Sequence, residues 1–263
     1  MKRKMKTTDA IGATLVVGMG EVGAALANVL EKRETVLRHD IEPREIEQSI
    51  EVMHICFPFR GADFVDTACE YIERFTPQLT VINSTVLPGT TRSVADRTGT
   101  PVAYSPVRGK HVRMAQDLLH YAKFVAAADI NTAVHAENHF QAAGIKTARV
   151  SRPETLELAK LAETTYFGTL IAFAQELNRY ADRVDGDYFE ITSFFDEIDF
   201  LPRVRYFPGF IGGHCVIPNI NLLLSLTDSP LLRAILRSNE ARAAELGERT
   251  TQANGLTPGN SDG

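Results

Sequence analysis

The stretch Ala13-Thr-Leu-Val-Val17, Gly18-Met-Gly-Glu-Val-Gly23, Ala24-Ala-Leu-Ala-Asn-Val-Leu30 decides the fold. Its first part is a short apolar run suited to a buried strand, and its last part carries a helical pattern. A Gly-x-Gly-x-x-Gly spacing has little meaning alone, but between a strand and a helix it reads as a dinucleotide-binding turn. In such a turn Gly18 makes the tight bend and Gly20 lets a pyrophosphate approach the backbone. Gly23 packs the helix against the strand, and the helix start favours negative charge. Met19, Glu21 and Val22, lying between the glycines, complete the candidate cofactor-binding stretch.

A second strand, Glu34-Thr-Val-Leu-Arg-His-Asp40, ends in an acid. Asp40 is placed to hydrogen-bond an adenosine ribose and to repel a 2′-phosphate, which predicts NAD rather than NADP. The alternation then continues. Val52–Phe57, Leu79–Asn83, Pro101–Tyr104 and Lys123–Ala128 read as strands, and Ala62–Phe75 reads as a helix. Strands alternating with helices predict an α/β fold with a Rossmann-type, doubly wound parallel sheet, its ligand beyond the carboxyl ends of the strands. Pro58, Ser84 and Thr85 fall at such ends, which makes them further candidate cofactor contacts. The Thr85-Val-Leu-Pro-Gly-Thr-Thr91 turn adds hydroxyls there.

Composition narrows the classes. The chain has 263 residues, 44% hydrophobic and 23% charged, an ordinary globular balance. A net charge of −5 argues against a nucleic-acid partner. No apolar run reaches the length of a membrane span. The basic start Met1-Lys-Arg-Lys-Met-Lys6 lacks the apolar run of a secretory signal. Cys56, Cys69 and Cys215 form no Cys-x-x-Cys pair, a usage that suits a reducing, cytoplasmic location. His135 and His139 have the spacing of a zinc pair, but the stripe Ala133, Ala136, Phe140, Ala143 predicts both on the solvated face, and no metal site is expected. His54 and Cys56, on one strand face, read as core.

From Pro153 to about Arg183 the chain is one long helical pattern. Pro153 suits a first turn, and Glu154 and Glu157 suit the positive helix start. The middle, Tyr166 to Leu177, is apolar nearly all round, which predicts burial on several sides and a homodimer seam along 153–183. Asp185-Gly-Asp187 ends it, Tyr188–Ile198 resumes, and Ser229–Leu246 reads as a last helix. Before that helix stands Pro208-Gly-Phe-Ile-Gly-Gly-His-Cys215, a thiol at the end of a glycine-rich segment. The predicted organisation is a dinucleotide-binding domain over 1–150, a helical domain over 151–248 built on the long helix and carrying the cysteine loop, and a disordered tail over 249–263.

Together these residues resemble the UDP-glucose/GDP-mannose dehydrogenase family. The resemblance rests on Gly18-Met-Gly-Glu-Val-Gly23, Asn83-Ser-Thr-Val-Leu-Pro-Gly-Thr-Thr91, Ser105-Pro-Val-Arg108, Glu157-Leu-Ala-Lys-Leu-Ala-Glu-Thr-Thr-Tyr166 and the Gly-Gly-His-Cys215 segment, in that order. It implies NAD as cofactor and oxidation of an alcohol in two hydride steps, through a thiohemiacetal and a thioester on cysteine. By this resemblance Cys215 matches the nucleophile, Lys160 the lysine that works on oxygen, and Thr85 the hydroxyl near the nicotinamide. Three positions depart from the family pattern. Its loop acid is Val107 here, the asparagine after the lysine is Thr164, and the aspartate after the cysteine is Asn219, which still holds a catalytic position. The chain also ends soon after the cysteine, whereas the family continues into a nucleotide-binding third domain. The expected function is an NAD-dependent oxidoreductase acting on a polar hydroxyl-bearing small molecule, sugar-like or a nucleotide sugar. The alternatives are a non-catalytic NAD(H)-binding subunit or sensor, or an epimerase or decarboxylase with tightly held NAD.

Overall fold

The computed structural model describes residues 12–40, 46–61, 63–109, 113–199, 206–212 and 215–255. Two compact units divide it, Met1–Lys160 and Leu161–Gly263, so the boundary falls inside the long helix, just past its second turn. Among the described residues no helix is long and apolar enough to cross a membrane.

The first unit is a seven-stranded sheet. Its strands are β1 (Ala13–Val17), β2 (Val36–His39), β3 (Ile50–Ile55), β4 (Leu79–Ile82), β5 (Val102–Tyr104), β6 (Lys123–Ala127) and β7 (Thr147–Arg149). Their spatial order is β2-β1-β3-β4-β5-β6-β7. The chain goes outward from β1 to β2 and returns across β1 to β3, so the order reverses between β1 and β3. That reversal opens a crevice at the carboxyl ends of these two strands. Pairing is parallel from β2 through β5. The parallel sheet expected from the alternation is present, with one antiparallel pairing where β6 meets β5. The segment from β5 to β6 leaves and re-enters the sheet at the same end, so β6 must return in the opposite sense.

Helices cover both faces. One face packs α2 (Asp63–Phe75) and α3 (Thr90–Thr98) over Leu15, Met53, Ile55 and Tyr104. The other packs α1 (Glu21–Leu30), α4 (Met114–His120) and α5 (Ile130–Ala142) over Val52, Val81 and Val125. His139 corrects the sequence reading of α5. Its side chain is 7% exposed, and its Nε2 lies 2.9 Å from Nε2 of buried His54. The stripe facing the sheet is mostly alanine, so α5 sits close enough for the flanking histidine to be drawn in.

The long helix α6 spans Pro153–Arg183, as its pattern predicts. Its first turns belong to the α/β unit, and Glu157 is the reason. Fully buried, its carboxylate accepts from the Gly89 N–H at 2.6 Å, the Thr91 N–H at 2.8 Å and the Thr91 hydroxyl at 2.6 Å. It therefore caps the start of α3 rather than the start of its own helix.

The second unit contains the rest of α6, then α7 (Tyr188–Ser193) with a 3-10 turn (Phe194–Glu197), α8 (Val216–Leu226) and α9 (Pro230–Gly255). The break before α7 is made by Asp185 in the left-handed region (φ 54°) and by the Asp187 side chain, which caps Glu190 N–H. A Cβ on Gly168 would lie 2.7 Å from Val216, so this glycine lets α8 approach α6. Two expectations change here. Helix α9 runs on to Gly255, so 249–255, read as tail, is helical, and 256–263 lie outside the described residues. The middle of α6 is not buried all round, because only one side packs within the unit. Ala172, Ala174 and Gln175 are buried, while Tyr166, Phe167 and Phe173 are exposed.

Glu157→Ala would strand two backbone donors and a hydroxyl, and should destabilise the first unit by about 3 kcal/mol in urea melts. Burial raises the Glu157 carboxyl pKa despite its three donors. Its ionisation therefore costs stability, which is greatest at acid pH and falls as pH rises above the ordinary glutamate range. Glu157→Gln should flatten that slope.

Candidate functional site

The crevice between β1 and β3 holds a cavity of about 360 Å³ lined by Val17, Gly18, Gly20, Asp40, Cys56 and Pro58, among others. The three glycines have separate jobs. Gly18 has φ +91° and a Cβ there would lie 2.6 Å from Phe57 N. A Cβ on Gly23 would lie 1.9 Å from Gly18 O. Both are demanded by the approach of turn, α1 and β3. Gly20 is different: a Cβ there meets nothing within 4 Å. It caps the start of α1 with extended backbone (φ −69°, ψ −167°), leaving bare main chain open. An open glycine at a helix start is a cradle for a phosphate, so the residues present fit a dinucleotide.

Met19 lines the same cavity, whereas Glu21, Val22 and Gly23 form the first turn of α1 behind it. Asp40 stands exposed just beyond the end of β2. Ser84 is buried, its hydroxyl donating to Phe57 O at 2.6 Å, so it ties the end of β4 to the end of β3. Thr90 and Thr91 spend their hydroxyls on Leu87 O and Glu157, leaving Thr85, half-buried at the end of β4, as the turn's candidate for a ligand. Lys160 is half-buried in α6, one turn beyond Glu157. Cys56, on the cavity wall, has its thiol pushed up to about 12 by burial, which leaves it inert.

One titratable residue at this edge of the sheet belongs to no sequence motif. Lys123, at the start of β6, is buried and donates to Ser105 O at 2.7 Å and Pro106 O at 3.4 Å. Arg108 Nη2 donates to Ala122 O and Ser105 Oγ to Phe124 O, so three side chains stitch the loop after β5 to β6. Val107, in that loop, is buried against Met114 and Leu118. A second missed feature is a buried pair of histidines in contact with each other. Asn83 Nδ2 approaches His54 Nδ1 at 3.1 Å, His54 Nε2 approaches His139 Nε2, and His139 Nδ1 stands 3.7 Å from Glu34. Burial pulls His139 down to about 4 and His54 well below its usual range, so both rings are neutral.

In the second unit, the approach to Cys215 is clamped by two amides. Gln175 of α6 donates to Gly209 O at 2.6 Å, and Asn239 of α9 accepts from Ile211 N and donates to Ile211 O. Ile211 anchors the segment in the apolar cluster with Ala172, Val216 and Ile235. Gly213 and His214 lie outside the described residues. Cys215 is half-buried at the N-cap of α8, and Asn219 lies in that helix's first turn. Asn219 is buried and donates to Thr164 Oγ1 at 2.9 Å, while Thr164 donates to Leu161 O. Two of the three departures from the family pattern thus satisfy each other, as a neutral pair.

A doubly wound sheet with an open glycine turn at its switch point, followed by a helical unit with a cysteine at a helix start, defines a dinucleotide-binding α/β protein with an appended helical domain. Residues 154–241 match the model of the UDP-glucose/GDP-mannose dehydrogenase family, central domain, a family whose members use NAD. A UDP-N-acetyl-D-mannosamine dehydrogenase of Pyrococcus horikoshii is 28% identical over 194 residues, 68% of this chain and 45% of that protein. A UDP-glucose 6-dehydrogenase of Streptococcus pneumoniae is 23% identical over 244 residues, 83% of this chain and 61% of that one. The chain thus spans about half the length of these curated relatives. The solved structure of a UDP-D-ManNAc dehydrogenase from Pyrococcus horikoshii superposes with a TM-score of 0.76 at 22% identity, covering 92% of this chain and 72% of that one.

Gly20→Ala should leave thermal stability nearly unchanged, because its Cβ has room, yet weaken NADH binding at least about tenfold by blocking the approach of phosphate. Gly23→Ala should lower the melting temperature instead. Calorimetry beside a fluorescence titration separates the two.

Proposed function

We propose that this chain is an NAD-dependent oxidoreductase that oxidises a hydroxyl group of a sugar-like or nucleotide-sugar substrate. The observation that carries this reading is the open backbone at Gly20 in a cavity edged by Asp40. Gly18–Gly23 hold the pyrophosphate, Asp40 takes the ribose hydroxyls, and Pro58, Ser84 and Thr85 border the far end. NAD, when bound, supplies the hydride acceptor. Lys160 takes the proton of the substrate hydroxyl as its C–H bond breaks. Cys215 then adds through sulfur to the resulting aldehyde, giving a thiohemiacetal whose hydride passes to a second NAD+, exchanged for the NADH formed, leaving a thioester that water hydrolyses. Asn219, from the first turn of α8, orients Cys215 through the helix it shares with it. The curated relatives are named for UDP-sugars, which makes a nucleotide sugar the first substrate to try.

The apolar, buried Val107 favours a second reading of how far the reaction goes. No carboxylate stands at that position to assist attack of water on a thioester, and such help is typically worth about 10²–10⁴-fold. On this reading the enzyme releases a carbonyl product after one oxidation. The exposed Tyr166, Phe173 and Tyr180, spaced by two turns along α6, supply the seam for a homodimer.

The test is NADH formation with a panel of UDP-sugars and simple sugars. Two NADH per substrate from the parent and loss of turnover in Cys215→Ser would support the thioester route. One NADH with Cys215→Ser fully active would support a single, lysine-centred oxidation, with Lys160→Met then losing at least about 10²-fold. NADH binding without turnover of any substrate would favour a sensor or non-catalytic subunit. Tyr166→Ser combined with Phe173→Ser should shift the chain to a monomer in sedimentation experiments if α6 is the seam.

A further inference from the structure

A buried cation normally has an anion beside it. Lys123 has none among the described residues: its ammonium meets two backbone carbonyls and the face of Phe140, 4.9 Å from the ring centre. The charged groups within electrostatic range are Lys160 of α6 and Arg108 of the loop after β5, both of like sign. Its other titratable neighbours are His54 of β3 and Cys56 just beyond that strand's end. Asp117 of α4 shares with Lys123 the wall of a water-sized void beside Val107, and its carboxylate pairs with Arg113 at 3.2 Å.

The position matters as much as the charge. Because β6 returns antiparallel, its first residue lies at the carboxyl end of β5, two strands over from the end of β4 that carries Ser84 and Thr85. Lys123 is also close enough to Cys56, on the wall of the dinucleotide cavity, for each to influence the other's charge. A structural strut binding two carbonyls needs only a neutral donor, so the charge itself asks for a purpose.

We propose that Lys123 biases the site toward the reduced cofactor, its uncompensated ammonium opposing the positive ring of NAD+ and favouring neutral nicotinamide in NADH. The inference rests on the NAD reading above and adds a residue that sets the redox preference. Hydride transfer removes one positive charge from the cofactor, and a like charge held in a poorly solvated place makes that removal more favourable. With Val107 in the loop beside it, no carboxylate from that position offsets the effect.

Burial, helped by Lys160 and Arg108, pulls the Lys123 amine down to about 7. The preference is therefore strongest below neutrality and fades as the amine loses its proton. His54 and His139 are already neutral in this range and Cys56 is still protonated, so none of them mimics the change.

The experiment measures dissociation constants of NADH, by fluorescence, and of NAD+, by competition, at pH 6 and pH 8.5 for the parent, Lys123→Met and Lys123→Arg. In the parent the NAD+/NADH ratio of dissociation constants should fall on the order of fivefold between the two pH values. In Lys123→Met it should be low and flat, and in Lys123→Arg high and flat. A parent ratio that does not change with pH overturns the proposal even if neither variant folds. So does a Lys123→Met protein that keeps the parent's pH response. If neither nucleotide binds the parent, the cofactor reading itself falls, an outcome distinct from binding without redox preference.

Discussion

The α/β unit depends on one steric constraint, the closeness of the turn after β1 to the end of β3. Gly18 sits against Phe57 backbone and Gly23 against the Gly18 carbonyl, so the helix axis, the turn and two strands are fixed by three backbones with no side chain between them. Everything at the crevice follows from that closeness. Cys56 and Pro58 are brought to the cavity wall, α1 points its start at the opening, and Gly20 is left with bare space in front of it. A single methyl at Gly18 or Gly23 would separate elements that the rest of the sheet presupposes.

The second unit solves a different problem, that of holding an irregular segment rich in glycine. Gln175 and Asn239 meet its backbone groups from α6 and α9, and Ile211 supplies the apolar anchor. The cysteine enters α8 from a segment fixed on two sides. The Thr164–Asn219 pair gives the family departures a joint meaning. Each exchange alone would strand a polar partner, whereas together they close a hydrogen bond with no buried charge. The Thr164–Asn219 contact is a neutral one, while Lys123 and Arg108 bring positive charge to the loop after β5 in the first unit.

How much of this was legible in the sequence follows from the range of the interactions. The glycine turn and α6 could be read because their causes are local, a strand followed by spaced glycines, and a long run without a breaker. Strand β6 was found but not its direction, which depends on where the preceding loop re-enters the sheet. The burial of His139 was missed because a stripe of alanines brings the helix close, an effect of volume rather than pattern. Lys123 could not be recognised, since its partners are carbonyls that any residue carries, although a lysine opening the apolar run Phe124–Ala127 was a signal to question. Glu157 was assigned to its own helix because its real partners lie far away in the chain.

The Glu157 cap has a consequence for the way the chain can be divided. By sequence, the family's central domain begins at residue 154, at the head of α6. By its bonds, the head of α6 belongs to the preceding unit, since its glutamate fills the start of α3. A fragment cut where the family match begins would leave the nucleotide fold with an open wound at Gly89 and Thr91. Recombination between relatives would meet the same seam, tolerating a junction after Lys160 far better than one before Pro153.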